Sequence, residues 1–417
     1  MEVVNKVDSE IKKQFLPYGR QDVTEEDIQA VVRVLRSNWL TQGEAGPAFE
    51  KALAARLCAG HAVACSNGTA ALHLSMLALG VGPEDIVITS ANSFLASANC
   101  ARYVGAEVRF ADIDPETGNM SVPSLGRLLT DDHEHRVKAV IPVHFAGQPA
   151  DLAHIHEMAR SHGARVISDA SHAIGAEYRA GDAIHRIGDG LHSDLTVFSF
   201  HPVKHVAMGE GGAVTTNSGE LAERLRLFRN HGMQKDGLKQ DELALDGGGE
   251  INPWYYEMHR LGYNYRLTDI QAALGLSQLK RLDWSLQRRS EIACLYDDLI
   301  QRHFPDGAVR PLQLKRGRTH AYHLFVVSID FEHFSVDRAS LMRALRAKQI
   351  GTQVHYIPIP YQPYYRSLYR LQQGDFTGAE AYYERCLSLP MFPTLTDQDV
   401  EWVVESLVSS LTKGGAR

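Results

Sequence analysis

The sequence predicts an α/β protein, a large domain on a mostly parallel seven-stranded sheet followed by a small α+β domain. Three observations predict it. Short apolar strands alternate with helical stretches from residue 61 to residue 216. A long helical rhythm then runs from 267 to 303. A shorter mixture of strand and helix patterns completes the chain. At 417 residues the chain exceeds one compact core, so a tail at 1–16, a large domain at 17–285 and a small domain at 286–417 are expected.

In order, Thr24-Glu25-Glu26-Asp27 forms a capping box, after which Ile28, Val31, Val32 and Leu35 recur at helical spacing. Strands are predicted at 61–65, 86–90, 108–112, 137–143, 165–168, 195–200 and 213–216. Leu276, Leu279, Leu282 and Leu286 keep the long helix, and the domain boundary falls inside it. Beyond it, a strand at 323–329, a helix at 337–348 and a strand-like 353–356 make up the small domain. The Gly-rich, charged segment 234–252 reads as a loop.

Composition narrows the function. Hydrophobic residues at 44% and charged ones at 22% describe an ordinary globular protein. The net charge of −7, without a basic stripe, argues against nucleic acid as a partner. No apolar run approaches the roughly 18 residues that span a bilayer, and no signal-peptide core opens the chain, so no membrane partner and a cytoplasmic location are expected. Cys58, Cys65, Cys100, Cys294 and Cys386 are scattered and suit a reducing compartment. His133/His135 and His154/His156, spaced i, i+2, diverge on a helix, and no metal is expected.

The chemistry concentrates between Asp194 and Gly212. The strand at 195–200 ends in a Pro-containing bend, so Ser199 and Lys204 can face one cavity. A lysine amine there can form an imine with an aldehyde, and a serine hydroxyl can hold a phosphate oxygen. Alone, such a lysine is more often a snorkelling surface residue. Upstream, however, the strand at 165–168 delivers Asp169 to the carboxyl edge of the sheet, where a carboxylate can keep a pyridine nitrogen protonated. A third element is the turn Ser66-Asn67-Gly68-Thr69 between a strand and a helix. Gly68, Thr69 and the following amide would offer free N–H groups to an anion. A nicotinamide dehydrogenase would instead need G-x-G-x-x-G between strand and helix, whereas Gly209-Glu210-Gly211-Gly212 precedes a strand.

With Asp169, Ser199 and Lys204 in this order, and SNGTAAL at 66–72, the chain resembles the sugar aminotransferases of the DegT/StrS type over about residues 17–410. Further motifs of the resemblance are Trp39-Leu40-Thr41-Gln42-Gly43, Arg229-Asn230-His231-Gly232, Gly262-Tyr263-Asn264-Tyr265-Arg266-Leu267, and His355-Tyr356 followed by Pro358. The resemblance implies an aspartate-aminotransferase-like fold of type I and pyridoxal 5′-phosphate as cofactor. It implies Lys204 as the imine-forming lysine and Asp169 as the partner of the pyridine nitrogen. Gly68, Thr69 and Ser199 would hold the phosphate, and Phe94 would stack on the ring. His172 stands where many members have Gln, and would contact the phenolic oxygen or lie beside the ring. Asn264 would reach the phosphate in the neighbouring subunit, implying a homodimer with active sites at the subunit interface.

For substrate, the resemblance implies L-glutamate as donor and a nucleotide-linked 4-keto-6-deoxy sugar as acceptor. Gln42, His201, His355 and Tyr356 would lie near it, although His201 reads equally as a polar turn residue and 39–43 as a turn closing the first helix. SDASHA, FSFHPVK and QVHYIPIPYQPYY look most like the branch that makes UDP-4-amino-4,6-dideoxy-N-acetyl-β-L-altrosamine in pseudaminic acid biosynthesis. Rival readings are an aminotransferase for another nucleotide sugar, a sugar dehydratase, which in the family carries His in place of Lys204, and a silent cofactor-binding regulator.

Overall fold

A computed structural model gives the structure and describes residues 15–238 and 243–412. In chain order the strands are β1 His61–Cys65, β2 Ile86–Ser90, β3 Glu107–Ala111, β4 Val137–Ile141, β5 Arg165–Asp169, the hairpin β6 Glu177–Ala180 and β7 Ala183–Arg186, β8 Leu195–Ser199 and β9 Gly212–Thr216. Then follow the pair β10 Met233–Gln234 and β11 Glu257–Met258, and β12 Val309–Pro311, β13 Phe325–Ile329 and β14 Cys386–Leu389. Seven of them form one sheet in the order β1-β9-β8-β5-β4-β2-β3. Strand β9 runs antiparallel to both neighbours, and every other pairing is parallel.

Strands β2 and β9 are buried throughout, as expected where helices cover both faces of a parallel sheet. One core, with Leu72, Leu74, Val87, Leu195 and Val214, lies under the helices α3 Gly68–Leu79 and α4 Ala96–Tyr103, which follow α1 Glu25–Leu35 and α2 Ala45–Leu57 in the chain. The other contains Phe49, Leu53, Ile88, Val166 and Phe198. Helix α3 is apolar nearly all round and is correspondingly buried from Ala70 to Met76. The first helix, Glu25–Leu35, carries the expected capping box, with Thr24 and Asp27 bonding each other's backbone N–H.

Three expectations need correction. The long helix is broken into Asp269–Leu279 and Leu282–His303, with Lys280 and Arg281 between them. There the Arg281 guanidinium turns to Asp22 and Asp27, ion pairs that a straight rod would have to aim elsewhere. Segment 353–356 is no strand: Gln353 makes a single bridge to Ser388, and Tyr356 N–H turns to Asn92 Oδ1 at 3.1 Å. The loop expected at 234–252 includes the end of β10 and a Leu245–Ile251 bridge, while 239–242 lie outside the described residues.

The C-terminal sheet, β12-β13-β14, is antiparallel. It packs Phe325 and Val327 against Tyr296, Leu345 and Leu407 in a third core. Its other side, through Leu324, Val326 and Cys386, joins the core of the large sheet. That shared packing brings the C-terminal part over the carboxyl ends of the large sheet's strands. Residues 1–14 of the expected tail lie outside the described residues, and Leu16 pairs with Ile350. Among the described residues no helix is long and apolar enough to cross a membrane, and no group of three or more His, Cys, Asp or Glu side chains is placed to hold a metal ion.

Candidate active site

A cavity of about 790 Å³ opens where β1, β5 and β8 end and α3 begins. That is the edge of an α/β sheet where ligands bind, because strand ends and helix starts turn their free polar groups toward it. Gly68, Thr69, Asp169, His172, Ser199 and Lys204 all line it.

At one end, Asn67 caps α3 by accepting from Ala70 N–H at 2.8 Å. The Ala70 amide is thus engaged by its own cap, and the cradle expected from three amides reduces to Gly68 and Thr69. Crowding favours glycine at 68: a Cβ there would stand 2.9 Å from Ser199 Cβ and push the two apart. Because nothing intervenes, the first turn of α3 and the Ser199 side chain form one concave donor surface, which favours an anion.

At the other end, Asp169 is buried, and its carboxylate accepts from Ser97 Oγ at 2.7 Å and from Ser171 N–H at 3.1 Å. Ser97 is tied in turn to Ser93 at 2.7 Å. These bonds hold the anion in place and leave carboxylate capacity facing the cavity.

Lys204 follows the β8 bend, its N–H bonding His201 O at 2.8 Å. Burial pushes its ammonium down to about 7, with the Asp169 charge opposing the shift. Its Nζ lies 3.3 Å from His323 Nε2. His172, His205, His323 and His355 surround it. Burial holds His172, His205 and His323 well below the usual imidazole range, and burial with the Lys204 charge lowers His355 to about 3. An amine that titrates near neutrality beside neutral imidazoles can act as nucleophile and as proton carrier.

Phe94, His201, His355 and Tyr356 line the same cavity. Phe94 is 58% exposed, leaving its ring face available. Tyr356 OH meets His172 Nε2 at 3.4 Å, and His355 Nδ1 meets Ser388 Oγ at 2.8 Å. Two expected residues lie elsewhere. Gln42 lines a separate cleft with Arg229 and Arg266, because Asp269 caps the following helix by accepting from Gly43, Ala45 and Gly46 N–H and pins the turn away. Asn264 is exposed and bridges Asn230 through the backbone, so its side chain does not line the cavity of its own chain.

Residues the sequence reading passed over include Ser97, His323 and Tyr18, all on the cavity wall. Ser97 carried a local signal, the polar SANSFLAS run ahead of α4. His323 carried none, since its 119-residue separation from Lys204 closes only in the folded chain.

The donor set fits pyridoxal phosphate: a glycine-dependent anion cradle at one end, a restrained buried carboxylate at the other and a lysine of lowered basicity on the same wall. A family model described as the DegT/DnrJ/EryC1/StrS aminotransferase family matches residues 21–408. The chain is 41% identical over 404 residues to the spore coat polysaccharide biosynthesis protein SpsC of Bacillus subtilis, covering 97% of this chain and 98% of that one. It is 34% identical over 403 residues to the UDP-4-amino-4-deoxy-L-arabinose–oxoglutarate aminotransferase of Shewanella sediminis, covering 95% and 98%. Among solved structures it is similar to Helicobacter pylori PseC, an aminotransferase involved in the biosynthesis of pseudoaminic acid, with TM-score 0.83, 31% identity and coverage of 96% and 100%.

Proposed function

From a chain that belongs to the DegT/DnrJ/EryC1/StrS aminotransferase family, and is therefore a pyridoxal phosphate-dependent sugar aminotransferase of fold type I, we propose a transfer from glutamate to the 4-keto group of a nucleotide-linked 4-keto-6-deoxy sugar. The reading rests above all on Lys204 and Asp169 opening into one cavity with the Gly68–Thr69 helix start.

When bound, the cofactor supplies an aldehyde and an electron-withdrawing ring that together accept and release an amino group. Gly68 and Thr69 N–H and the Ser199 hydroxyl would hold its phosphate, and Asp169 its ring nitrogen. Phe94 and His172 would bound the ring. The Lys204 amine, once free, takes a proton at the substrate carbon and returns it nearby. Near pH 7 its neutral and charged forms are both populated, so neither direction of transfer is strongly disfavoured. His201, His355 and Tyr356 would contact the sugar.

Asn264 faces outward in its own chain, which supports its reaching the phosphate site of a second copy in a homodimer. Residues 17–285 and 286–417 would form the large and small domains of each subunit. The unpaired cysteines and the nucleotide-sugar substrate suit the cytoplasm.

The narrower product, UDP-4-amino-4,6-dideoxy-N-acetyl-β-L-altrosamine, is supported by the similarity to PseC. A second reading, another nucleotide sugar, is favoured by the 34% identity to the UDP-4-amino-4-deoxy-L-arabinose–oxoglutarate aminotransferase, whose name carries a different sugar. Incubating the purified protein with glutamate and a panel of 4-keto nucleotide sugars, and following amination by mass, separates the two. Reaction of the L-altro precursor alone supports the first; preference for D-configured sugars overturns it. Absence of amination on the whole panel, with no glutamate half-reaction, would overturn the transfer itself.

A further inference from the structure

Three of the four histidines around Lys204 have a hydrogen-bond partner other than the lysine. His205 Nε2 donates to Ala321 O at 2.7 Å, His355 bonds Ser388, and His172 meets Tyr356. His323 differs. It is buried, and its Nδ1 has no partner among the described residues, as is also true of His172 and His205; but its Nε2 meets Lys204 Nζ at 3.3 Å where theirs meet Tyr356 and Ala321. A core histidine kept only for packing would be expected to satisfy itself on the backbone, as His205 does.

We infer that His323 is a positioning residue for Lys204, its Nε2 lone pair receiving the ε-amino group whenever that amine is free of the cofactor.

The fold fixes His323 from several sides. Ala321 N–H bonds Gly147 O at 2.9 Å and Leu324 N–H bonds Ala146 O at 3.1 Å. Gly147, at φ +114°, lets that segment close up: a Cβ there would lie 2.8 Å from Tyr322 N and 3.1 Å from both His172 O and His323 N. From the opposite direction the buried Arg289 donates through Nη1 to Tyr322 O at 2.9 Å and Met391 O at 3.2 Å. The His172 ring packs against the imidazole with centroids 4.4 Å apart.

Burial and neighbouring charge then select the protonation state. Burial above all, and then the facing groups Lys204, His172, His205 and Arg289, keep the His323 imidazole neutral. A neutral ring with a bare Nε2 accepts from Lys204 both as ammonium and as amine, since each has N–H to give. The bond to the ammonium is the stronger, being charge-assisted. His323 therefore draws the released amine to a fixed place and partly offsets the burial that lowers its basicity.

This inference rests on the reading of Lys204 as the proton-carrying amine, but its test does not require turnover. Full-length protein saturated with pyridoxamine phosphate leaves Lys204 free for competitive acetylation by acetic anhydride across pH, read on the Lys204 peptide by mass spectrometry. His323→Gln keeps an acceptor oxygen where Nε2 stood; His323→Asn moves it back to the place of Nδ1. The glutamine variant is expected to titrate with the wild type. The asparagine variant should titrate lower by about one pH unit, for loss of one charge-assisted bond. Circular dichroism checks that both fold.

An asparagine profile that overlays the wild type, or a glutamine profile that falls as far as asparagine, overturns the inference. A wild type that fails the glutamate half-reaction yet shows the expected contrast would strike the aminotransferase reading and leave the pairing standing.

Discussion

Two clefts of similar size, about 790 and about 830 Å³, carry different chemistry. The first, around Lys204, contains no arginine among the described residues, and its lysine and four of its histidines, His73, His172, His323 and His355, are shifted by burial. The second, around Gln42, holds Arg224, Arg226, Arg229, Arg266 and Lys235 among carboxylates. Three of its arginines are engaged, Arg224 with Glu220 at 2.6 Å, Arg229 with Glu50 at 2.5 Å and Arg266 with Asn230 Oδ1 at 2.6 Å. Guanidinium groups already bonded to fixed partners have little left to change, whereas a buried amine beside a carboxylate changes what protons can do. The contrast teaches that the groups proposed to make and break bonds are gathered in one cleft of a single chain, while the strong fixed cations lie outside it.

The largest test of that division is Lys204→Ala. It should lower turnover by ~10³-fold or more, as removal of a general base that is also the nucleophile does. The visible absorption of lysine-linked pyridoxal should vanish with it. Arg226→Ala, a change in the second cleft, should leave that absorption in place. A Lys204→Ala protein that keeps both turnover and colour would erase the distinction.

Next in size is the link between copies. Asn264→Ala should cost ~10- to 100-fold through a lost hydrogen bond to a charged group. Co-expressed Lys204→Ala and Asn264→Ala chains then discriminate. If Asn264 serves the partner's site, a mixed dimer has one intact site and one doubly defective site, so random pairing restores about a quarter of wild-type activity. If it serves its own site, the mixture stays as inactive as its parents.

Much of the first cleft could be read from the sequence because its groups sit at the ends of strands. The apolar runs that end at Asp169 and Ser199, and the Asn67-Gly68 turn before an apolar helix, announce a strand edge by local pattern alone. All seven strands of the large sheet appear within a few residues of their expected bounds. What could not be read depends on distant closure. His323 reaches Lys204 only because Gly147 and Arg289 hold its segment. Gln42 leaves the cavity because Asp269, far along the chain, caps the helix after it. The break at 280–281 has the same origin, since the Asp22 and Asp27 partners of Arg281 lie at the other end of the sequence.

A smaller effect probes the floor of the first cleft. Gly68→Ala brings a methyl group to 2.9 Å from Ser199 Cβ, so strand end and helix start must part by a few tenths of an ångström. The fold should survive, because the new side chain faces the cavity. Cofactor affinity should fall ~10-fold through poorer contact with an anion, measured by fluorescence titration. An unchanged affinity would mean that the phosphate is held elsewhere.

The finest test is the pH profile of the glutamate half-reaction. An amine that acts as base must be neutral, and burial sets its midpoint at about 7. Well below that pH the rate should rise with pH as the ammonium is lost, and above it the rate should level off. Between pH 7 and pH 8 the gain is therefore only about twofold, the neutral fraction going from half to nearly complete. The sign matters more than the size, because a lysine with the ordinary value would still be gaining tenfold per unit across the same interval. Observing that steeper rise would show the amine to be hydrated like a surface lysine, and the first cleft would lose the property that separates it from the second.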